Sequence, residues 1–379
     1  MKVFHLINTL SAGGAEIHLL TLCRHLQRHG VEIAVACLRE RVKDSRSLRS
    51  DFEQSNIPVF DLKADRRVDT LYLGKLARLM RVQRPDILHT HLPRADFAGA
   101  FLRRLEPRLL WVSSVHAIYS EDWSGRWSLP LFRLIWAGAD SVLCISHAVQ
   151  DWLVRRGTAL HRTKVIHYGI ELDDFLRPKI DLRQEWGLVG KALIGTVGRL
   201  EPRKGHEFLI RAVAELRRRN VAARLLIAGH DPWGYGRQLR RLIENLDVAE
   251  SVSLLGFQSD VSSFLHAIDV FAFASSSEGF GQVVVEAMAA GKPVVVNKIA
   301  PLTEIVTDGE TGLLVESEKT PALADRLAEL LSHPDRRDRM GACARQKVEK
   351  SFSAERMALE TLSLYEDLLQ QRAPVRSFA

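Results

Sequence analysis

The 379-residue sequence is poor in cysteine: Cys23, Cys37, Cys144 and Cys343 lie far apart, with no C-x-x-C pair. That excludes a disulfide framework and a zinc ribbon, and it fits a reducing compartment. No uncharged apolar run approaches the ~18 residues needed to cross a bilayer. The most hydrophobic stretch, Leu129 to Val154, is broken by Arg133, Asp140 and Asp151. The opening MKVFHLINTL has the look of a signal peptide, but it holds one basic residue and its apolar segment is interrupted by His5 and Asn8. It reads as a first β-strand, and a cytoplasmic protein is expected. There is no G-x-G-x-x-G fingerprint, which counts against a nicotinamide enzyme. Zinc-finger and RRM signatures are also missing, as are basic runs interleaved with aromatics, so nucleic acid is not an expected partner.

What is present is an ordinary globular composition, 46% hydrophobic and 26% charged, long enough for two or three domains. The net charge of +7 is unevenly spread. From Met1 to Tyr168 there are 25 basic and 16 acidic residues, a balance of +9, and the rest of the chain stands at −2. Much of the excess lies on helix-like segments, such as Lys75, Arg78, Arg81 and Arg84, or Arg103 and Arg104. Such a surface is either a solvated helical face or a match for anionic lipid headgroups, at about 1 kcal/mol per basic residue near the membrane.

Short apolar strands alternate with amphipathic helices. Strands are expected at Val3–Ile7, Glu32–Cys37, Pro58–Leu62, Asp86–His89, Leu109–Val115, Ser141–Ile145 and Lys164–His167. Helix patterns fall between them at Ala15–His29, Thr70–Gln83, Ala95–Arg104 and Leu129–Ala137. The rhythm restarts with strands at Leu193–Val197, Arg224–Ala228, Ser251–Leu254, Val270–Phe273 and Pro293–Val296, and helices at His206–Arg219, Gly236–Asn245 and Gly281–Ala290. Alternating βα units imply parallel sheets with helices on both faces. The fold class is therefore α/β, with two doubly wound Rossmann-like domains. Their boundaries are set at 1–168 and 189–352, joined by a charged linker over 169–188 that contains Pro178. Residues 353–379 read as a helix packing back on the first domain. Doubly wound halves bind ligands at the carboxyl ends of their strands, so the active site is expected in the cleft between them.

Three segments carry chemistry. The first strand runs through Ser11-Ala12-Gly13-Gly14 into a helix, a turn that is either a tight connection or an anion cradle of backbone N–H groups. The next domain opens with Gly198-Arg199-Leu200-Glu201-Pro202-Arg203-Lys204-Gly205, where Arg199 and Lys204 could both reach one diphosphate. Third, Glu278 and Glu286 lie eight apart around Gly279, Phe280 and Gly281, positioned to address two ends of an extended ligand. Glu286 interrupts an apolar helix, and burying it without a polar partner would be costly. His89 and His91 share a strand face at i and i+2, but no nearby Cys or acidic cluster completes a metal site, and packing or lining the acceptor cleft is the better reading.

Together these segments resemble a retaining glycosyltransferase of the GT-B fold, in glycosyltransferase family 4. The motifs are the glycine pair at 13–14, GRLEPRKG at 198–205, LLGFQSDV at 254–261, EGFGQVVVEAMAAGKPVV at 278–295 and TDGETGLLV at 307–315. The resemblance implies that Arg199, Lys204 and the Gly14 amide bind the diphosphate of a nucleotide sugar. Glu278 would hold sugar hydroxyls with the Phe280 and Gly281 amides, and Glu286 the ribose. His116 matches the family histidine that faces the sugar. No D-x-D triplet is present and the family generally works without a metal, so no metal or other cofactor is expected. The expected reaction moves a hexose from a UDP-sugar to a glycan or lipid-linked glycan in cell-surface polysaccharide synthesis, at the inner face of an anionic membrane.

Departures from the family pattern are visible. Ile299–Glu304 lacks a glycine pair, Tyr168 stands where asparagine is usual, and Gly229-His230-Asp231-Pro232 varies the loop near the nucleotide base. Alternatives are a transferase with a soluble acceptor, a non-catalytic binding relative, and an epimerase that needs no acceptor. The intact Arg199, Lys204, Glu278 and Glu286 argue for transfer.

Overall fold

The computed structural model describes residues 1–40, 46–64, 71–119 and 134–372. Three expectations fall partly outside these: the start of the helix at Thr70, most of the helix at Leu129–Ala137, and the end of the C-terminal segment. The chain forms two compact units, Met1–Gly169 with the chain from Ala354 onward, and Ile170–Ser353.

The first unit runs β1 (Lys2–Ile7), α1 (Gly14–Arg28), β2 (Glu32–Cys37), α2 (Arg49–Gln54), β3 (Val59–Asp61), α3 (Leu71–Gln83), β4 (Ile87–His91), α4 (Pro93–Leu105), β5 (Leu110–Val115), β6 (Ser141–Cys144), α5 (His147–Arg155) and β7 (Thr163–Val165). Its seven strands are parallel in the order β3-β2-β1-β4-β5-β6-β7. Both faces of the sheet are covered, so strands such as β2 and β4 are buried almost throughout rather than alternating. The order reverses between β1 and β4. Right-handed crossovers then place α1 and α2 on one face, and α3 and α4 on the other.

The second unit runs α6 (Leu182–Glu185), β8 (Leu193–Val197), α7 (His206–Arg218), β9 (Arg224–Ala228), α8 (Gly236–Asn245), β10 (Val252–Gly256), α9 (Val261–Ala267), β11 (Val270–Phe273), α10 (Gln282–Ala289), β12 (Val294–Asn297), α11 (Leu302–Ile305), β13 (Gly312–Val315), α12 (Thr320–Ser332) and α13 (Pro334–Ser351). Its parallel order is β10-β9-β8-β11-β12-β13, reversing between β8 and β11. The core is Ile194, Leu209, Val213, Leu225, Ile227, Val270 and their neighbours. The last helix, α14 (Ala354–Arg372), belongs to the first unit, where Met357, Ala358, Leu364 and Tyr365 join the core beneath α1.

From Ile170 onward the expected linker 169–188 lies within the second unit. Ser263 Oγ accepts the Lys179 and Ile180 amides at 2.9 and 3.1 Å, and Arg183 pairs with Asp269 at 2.5 Å, which fastens the segment to α9 and the start of β11. The partners of these two amides and of Arg183 are about 85 residues away, so the fastening leaves no local trace in the sequence. The segment TDGETGLLV also contributes an edge strand, β13, which is not among the strands expected from the sequence.

Close packing of α4 is set by Gly99, where an added Cβ would lie 2.6 Å from the Trp111 ring. Trp111 is itself held by a 2.9 Å bond from Nε1 to Thr90 Oγ1. Gly99→Ala should therefore destabilise the protein by about 1–3 kcal/mol through overpacking. Urea unfolding measures this, and an unchanged midpoint would refute the packing account.

Candidate active site

In the second unit the expected residues gather at the carboxyl ends of β8 and β11, the two strands flanking the reversal of strand order. That crevice is the ligand position of doubly wound sheets. After β8 the chain passes Gly198 and Arg199, makes a tight 3-10 turn over Pro202–Lys204, and enters α7 through Gly205 at φ 69°. Glycine is required there on two counts. The φ is left-handed, and a Cβ would sit 2.0 Å from the Ala274 carbonyl oxygen. This close approach brings the loop after β8 against the loop after β11.

Several bonds fasten the two loops. Arg203 Nη1 donates to the Ser277 carbonyl at 2.6 Å, and the Arg203 carbonyl accepts the Ser276 amide at 2.9 Å and the Ser275 hydroxyl at 3.1 Å. From the next strand, Asn297 Nδ2 donates to the carbonyls of Ala274 and Ser275 at 2.9 and 3.1 Å. The result is a direct ion pair, Lys204 Nζ to Glu278 Oε1 at 2.6 Å, with both side chains largely buried. Lys204 Nζ also lies 5.2 Å from the centre of the Phe273 ring.

Arg199 is more open, with its side chain 55% exposed. Its guanidinium lies 3.5 Å from Glu201 and 5.4 Å from the centre of the exposed Trp233 ring. Beyond Glu278, Phe280 is buried against Phe352 and Gly281 opens α10 at φ 105°. Leu302 lies under Gly281, 2.6 Å from where a Cβ would be. Glu286, on α10, accepts from Gln282 Nε2 at 2.9 Å. Burial raises its carboxyl to about 7 despite that bond. The cost of burial read from the sequence thus has a visible counterpart: a carboxyl half-neutral near pH 7, with one polar partner.

Gly13, Gly14 and His116 sit in the first unit, after β1 and β5. At the entrance to α1, Glu16 folds back so that its carboxylate is 2.7 Å from where a Gly13 Cβ would stand, and it accepts from Thr9 Oγ1 at 3.1 Å. The positive end of this helix is therefore partly answered by its own side chain. His116 is buried with both ring nitrogens engaged, Nδ1 with the Tyr168 hydroxyl at 2.5 Å and Nε2 with His91 Nδ1 at 3.0 Å.

That contact belongs to a longer network. His91 Nε2 meets His5 Nδ1 at 3.0 Å, and His18 stacks on Tyr168 with ring centres 4.0 Å apart. His89 spends its nitrogens on Tyr365 of α14 at 2.5 Å and Ser114 at 2.7 Å. His5, His89 and His91 offer nitrogens within 4.8 Å of one another. His89 and His91 are committed at both nitrogens, whereas His5 is bonded only through Nδ1 and its buried Nε2 has no hydrogen-bond partner among the described residues. Burial lowers the pKa of His5 and His116 to about 3, and lowers those of His18, His89 and His91 well below the usual histidine value.

Sequence reasoning missed Asn297, Arg203, Gln282 and Trp233. Only Gln282, four residues before Glu286 on one helix face, left a local signal. Asp231, in the loop expected near a nucleotide base, accepts the Gly236 amide at 3.0 Å at the start of α8.

Comparison with known proteins decides the family. A profile described as "Glycosyltransferase Family 4" matches residues 12–174, and one described as "Glycosyl transferases group 1" matches residues 178–347. A GDP-mannose-dependent alpha-(1-6)-phosphatidylinositol monomannoside mannosyltransferase of Mycobacterium tuberculosis is 31% identical over 317 residues, 78% of this chain and 75% of that protein. The chain belongs to glycosyltransferase family 4. It is also similar to the capsular polysaccharide biosynthesis glycosyltransferase CapM of Staphylococcus aureus, 24% identical over 379 residues, 93% of this chain and 97% of that protein. Among solved structures, Anabaena HepE in complex with UDP and glucose superimposes with a TM-score of 0.86 at 23% identity, covering 97% of this chain and all of that one. The likeness extends to a sucrose-phosphate synthase from Thermosynechococcus elongatus, with a TM-score of 0.84 at 23% identity over 98% of this chain and 100% of that one. The fold is GT-B and the protein is a glycosyltransferase. Among the described residues, no helix is long and apolar enough to cross a membrane.

The histidine network gives this family 4 enzyme a defined acid sensitivity. A histidine whose folded pKa lies below the unfolded 6.5 contributes stability that is complete above about pH 6.5 and is lost as pH falls toward the folded value. At pH 5, His5 and His116 should each cost about 2 kcal/mol. The urea midpoint should fall between pH 7 and pH 5, and an unchanged midpoint would contradict the neutral network.

Proposed function

We propose that the enzyme transfers a hexose from a UDP-sugar, with retention, to a glycan carried on a lipid at the cytoplasmic face of the membrane. The observation behind this is the Lys204–Glu278 contact at the β8/β11 crevice. It joins a cation suited to a departing phosphate with a carboxylate suited to sugar hydroxyls. Arg199, exposed on the loop after the same strand as Lys204, would swing from Trp233 and Glu201 to the second phosphate. The Phe280 and Gly281 amides would assist Glu278, with Gly279 keeping the backbone approachable. Glu286 would accept the ribose hydroxyls.

In the reaction the bond from the anomeric carbon to the phosphate oxygen breaks, and the acceptor oxygen bonds to the same face of the sugar. The acceptor proton passes to the leaving phosphate, and the nucleoside diphosphate departs. Lys204 and Arg199 stabilise the charge that develops there, and no metal is needed for that step. From the first unit, the Gly13–Gly14 turn would add a backbone amide. His116 would reach the sugar by exchanging its Tyr168 hydroxyl for a sugar hydroxyl. The UDP and glucose of the HepE complex, the phosphatidylinositol-based acceptor named for the mycobacterial relative and the capsular role named for CapM support this choice of donor and acceptor.

Thermal shift against a panel of nucleotide sugars should single out a UDP-sugar, because a ligand bound only by the folded state raises the melting temperature. Glu278→Gln, which can still accept from Lys204, should lose transfer while keeping UDP binding. Lys204→Ala should cost about 3 kcal/mol in the transition state. With Glu286 near 7, the ionised form that ribose hydroxyls favour grows as pH rises. UDP affinity should therefore strengthen from pH 6 to pH 8 more in the parent than in Glu286→Gln. Isothermal titration checks this, and identical pH dependence in the two proteins would remove Glu286 from the ribose site.

A further inference from the structure

We propose that the α3–α4 face of the first unit docks on an anionic lipid bilayer, with an apolar stripe entering the headgroup boundary between arginines that meet lipid phosphates. This deepens the lipid-carried acceptor proposed above and rests on that reading for its purpose. The crossovers set α3 and α4 side by side on the sheet face opposite α1. Along α4, Arg94, Phe97, Phe101, Leu105 and Arg108 recur at spacings of three and four, forming one helical stripe that continues just past its end. Phe97 is 44% exposed and Leu105 56% exposed, with Phe101 partly covered between them. The opposite side of α4, with Ala95, Ala98, Gly99 and Leu102, is buried.

The outer side of α3 adds exposed Arg78, Arg81 and Val82, while its Leu73, Leu76 and Met80 face inward. Charge on this face is of nearly one sign. Residues 71–108 hold eight basic and three acidic side chains. Of the acids, Asp96 is buried and takes hydrogen bonds from Thr90, Ser113 and Trp136, Asp86 accepts the Lys2 amide, and Glu106 is exposed beside Leu105. Of the cations, Arg103 is paired with Asp140, which leaves seven against Glu106.

Exposed aromatic and aliphatic side chains bracketed by arginines at helical spacing are the pattern of a helix lying in a membrane interface. The long arginine stems let the charge stay at the headgroups while the stripe sinks. A second copy of this chain is a poor occupant, since a two-fold contact would set this basic face against itself. Nucleic acid would reward the charge but leave Phe97 and Leu105 without a role.

The test is flotation of the full chain with vesicles of phosphatidylcholine alone or with phosphatidylglycerol added. The parent should float with the anionic vesicles only, and less as salt rises from about 0.1 M to about 1 M and the screening length shrinks. Arg78→Glu with Arg81→Glu, and separately Phe97→Ser with Leu105→Ser, should each weaken binding by about tenfold or more. Equal capture by neutral vesicles, parent-like flotation of the apolar variant, or self-association that buries this face would each overturn the proposal. All variants should keep the parent's melting temperature and UDP-induced shift. Lost flotation with that shift intact is therefore a surface effect. A parent that floats but shows no response to any nucleotide sugar would instead fail the transfer reading and leave the docking surface standing.

Discussion

The second unit is organised around one short contact, the ion pair of Lys204 and Glu278. Each residue alone would be a poorly hydrated charge in a narrow crevice, and the pair supplies each with its counter-ion. The pair forms because two loops from neighbouring strands are drawn together. Gly205 lets the backbone pass against Ala274, Arg203 reaches across to Ser277, and Asn297 holds the second loop from behind. Remove the glycine or the asparagine and the charges remain in the sequence but lose their alignment. Preorganisation of this kind is what makes electrostatic stabilisation effective, because the dipoles and charges need not reorient during the reaction.

The first unit is held on a different principle. Its core places histidines at the centre of a parallel sheet, where imidazoles, two tyrosine hydroxyls and the Ser114 hydroxyl answer most of their nitrogens, leaving His5 Nε2 and His18 Nδ1 buried without a hydrogen bond among the described residues. Tyr168 closes one branch, at the end of the unit's first segment, and Tyr365 closes the other from the returning helix α14. The network therefore binds the sheet both to its exit and to the segment that comes back. It also explains why His116 is not simply an exposed group waiting for substrate: its orientation is fixed by a hydroxyl on one side and a ring on the other.

Much of this was legible in the sequence. Leu193–Val197, Arg224–Ala228 and Val270–Phe273 were read with the bounds they have in the structure, because buried parallel strands are short apolar runs with sharp ends. The candidate residues of the second unit also stood out, because glycines, a paired Arg and Lys, and two glutamates cluster within short segments. How residues 169–188 are fastened was not legible. Proline and charge look alike in a linker and in a segment fastened by distant hydroxyls, and Ser263 gives no sign of its two amide donors. His5, His89 and His91 were likewise visible singly, but nothing in their spacing announced that β1 would lie beside β4 and bring their rings together.

The sequence by itself determined the periodicity, the α/β class and the family motifs, since these are local properties of chain conformation and side-chain type. Only the tertiary structure decided who partners whom: that Lys204 meets Glu278, that Glu286 is buried enough to titrate near 7, and that His116 is occupied on both sides. Those pairings join residues 25 to 74 positions apart, and they depend also on the loss of water around them. Burial and pairing are properties of the folded surroundings, so a one-dimensional pattern can suggest their need but not supply their geometry.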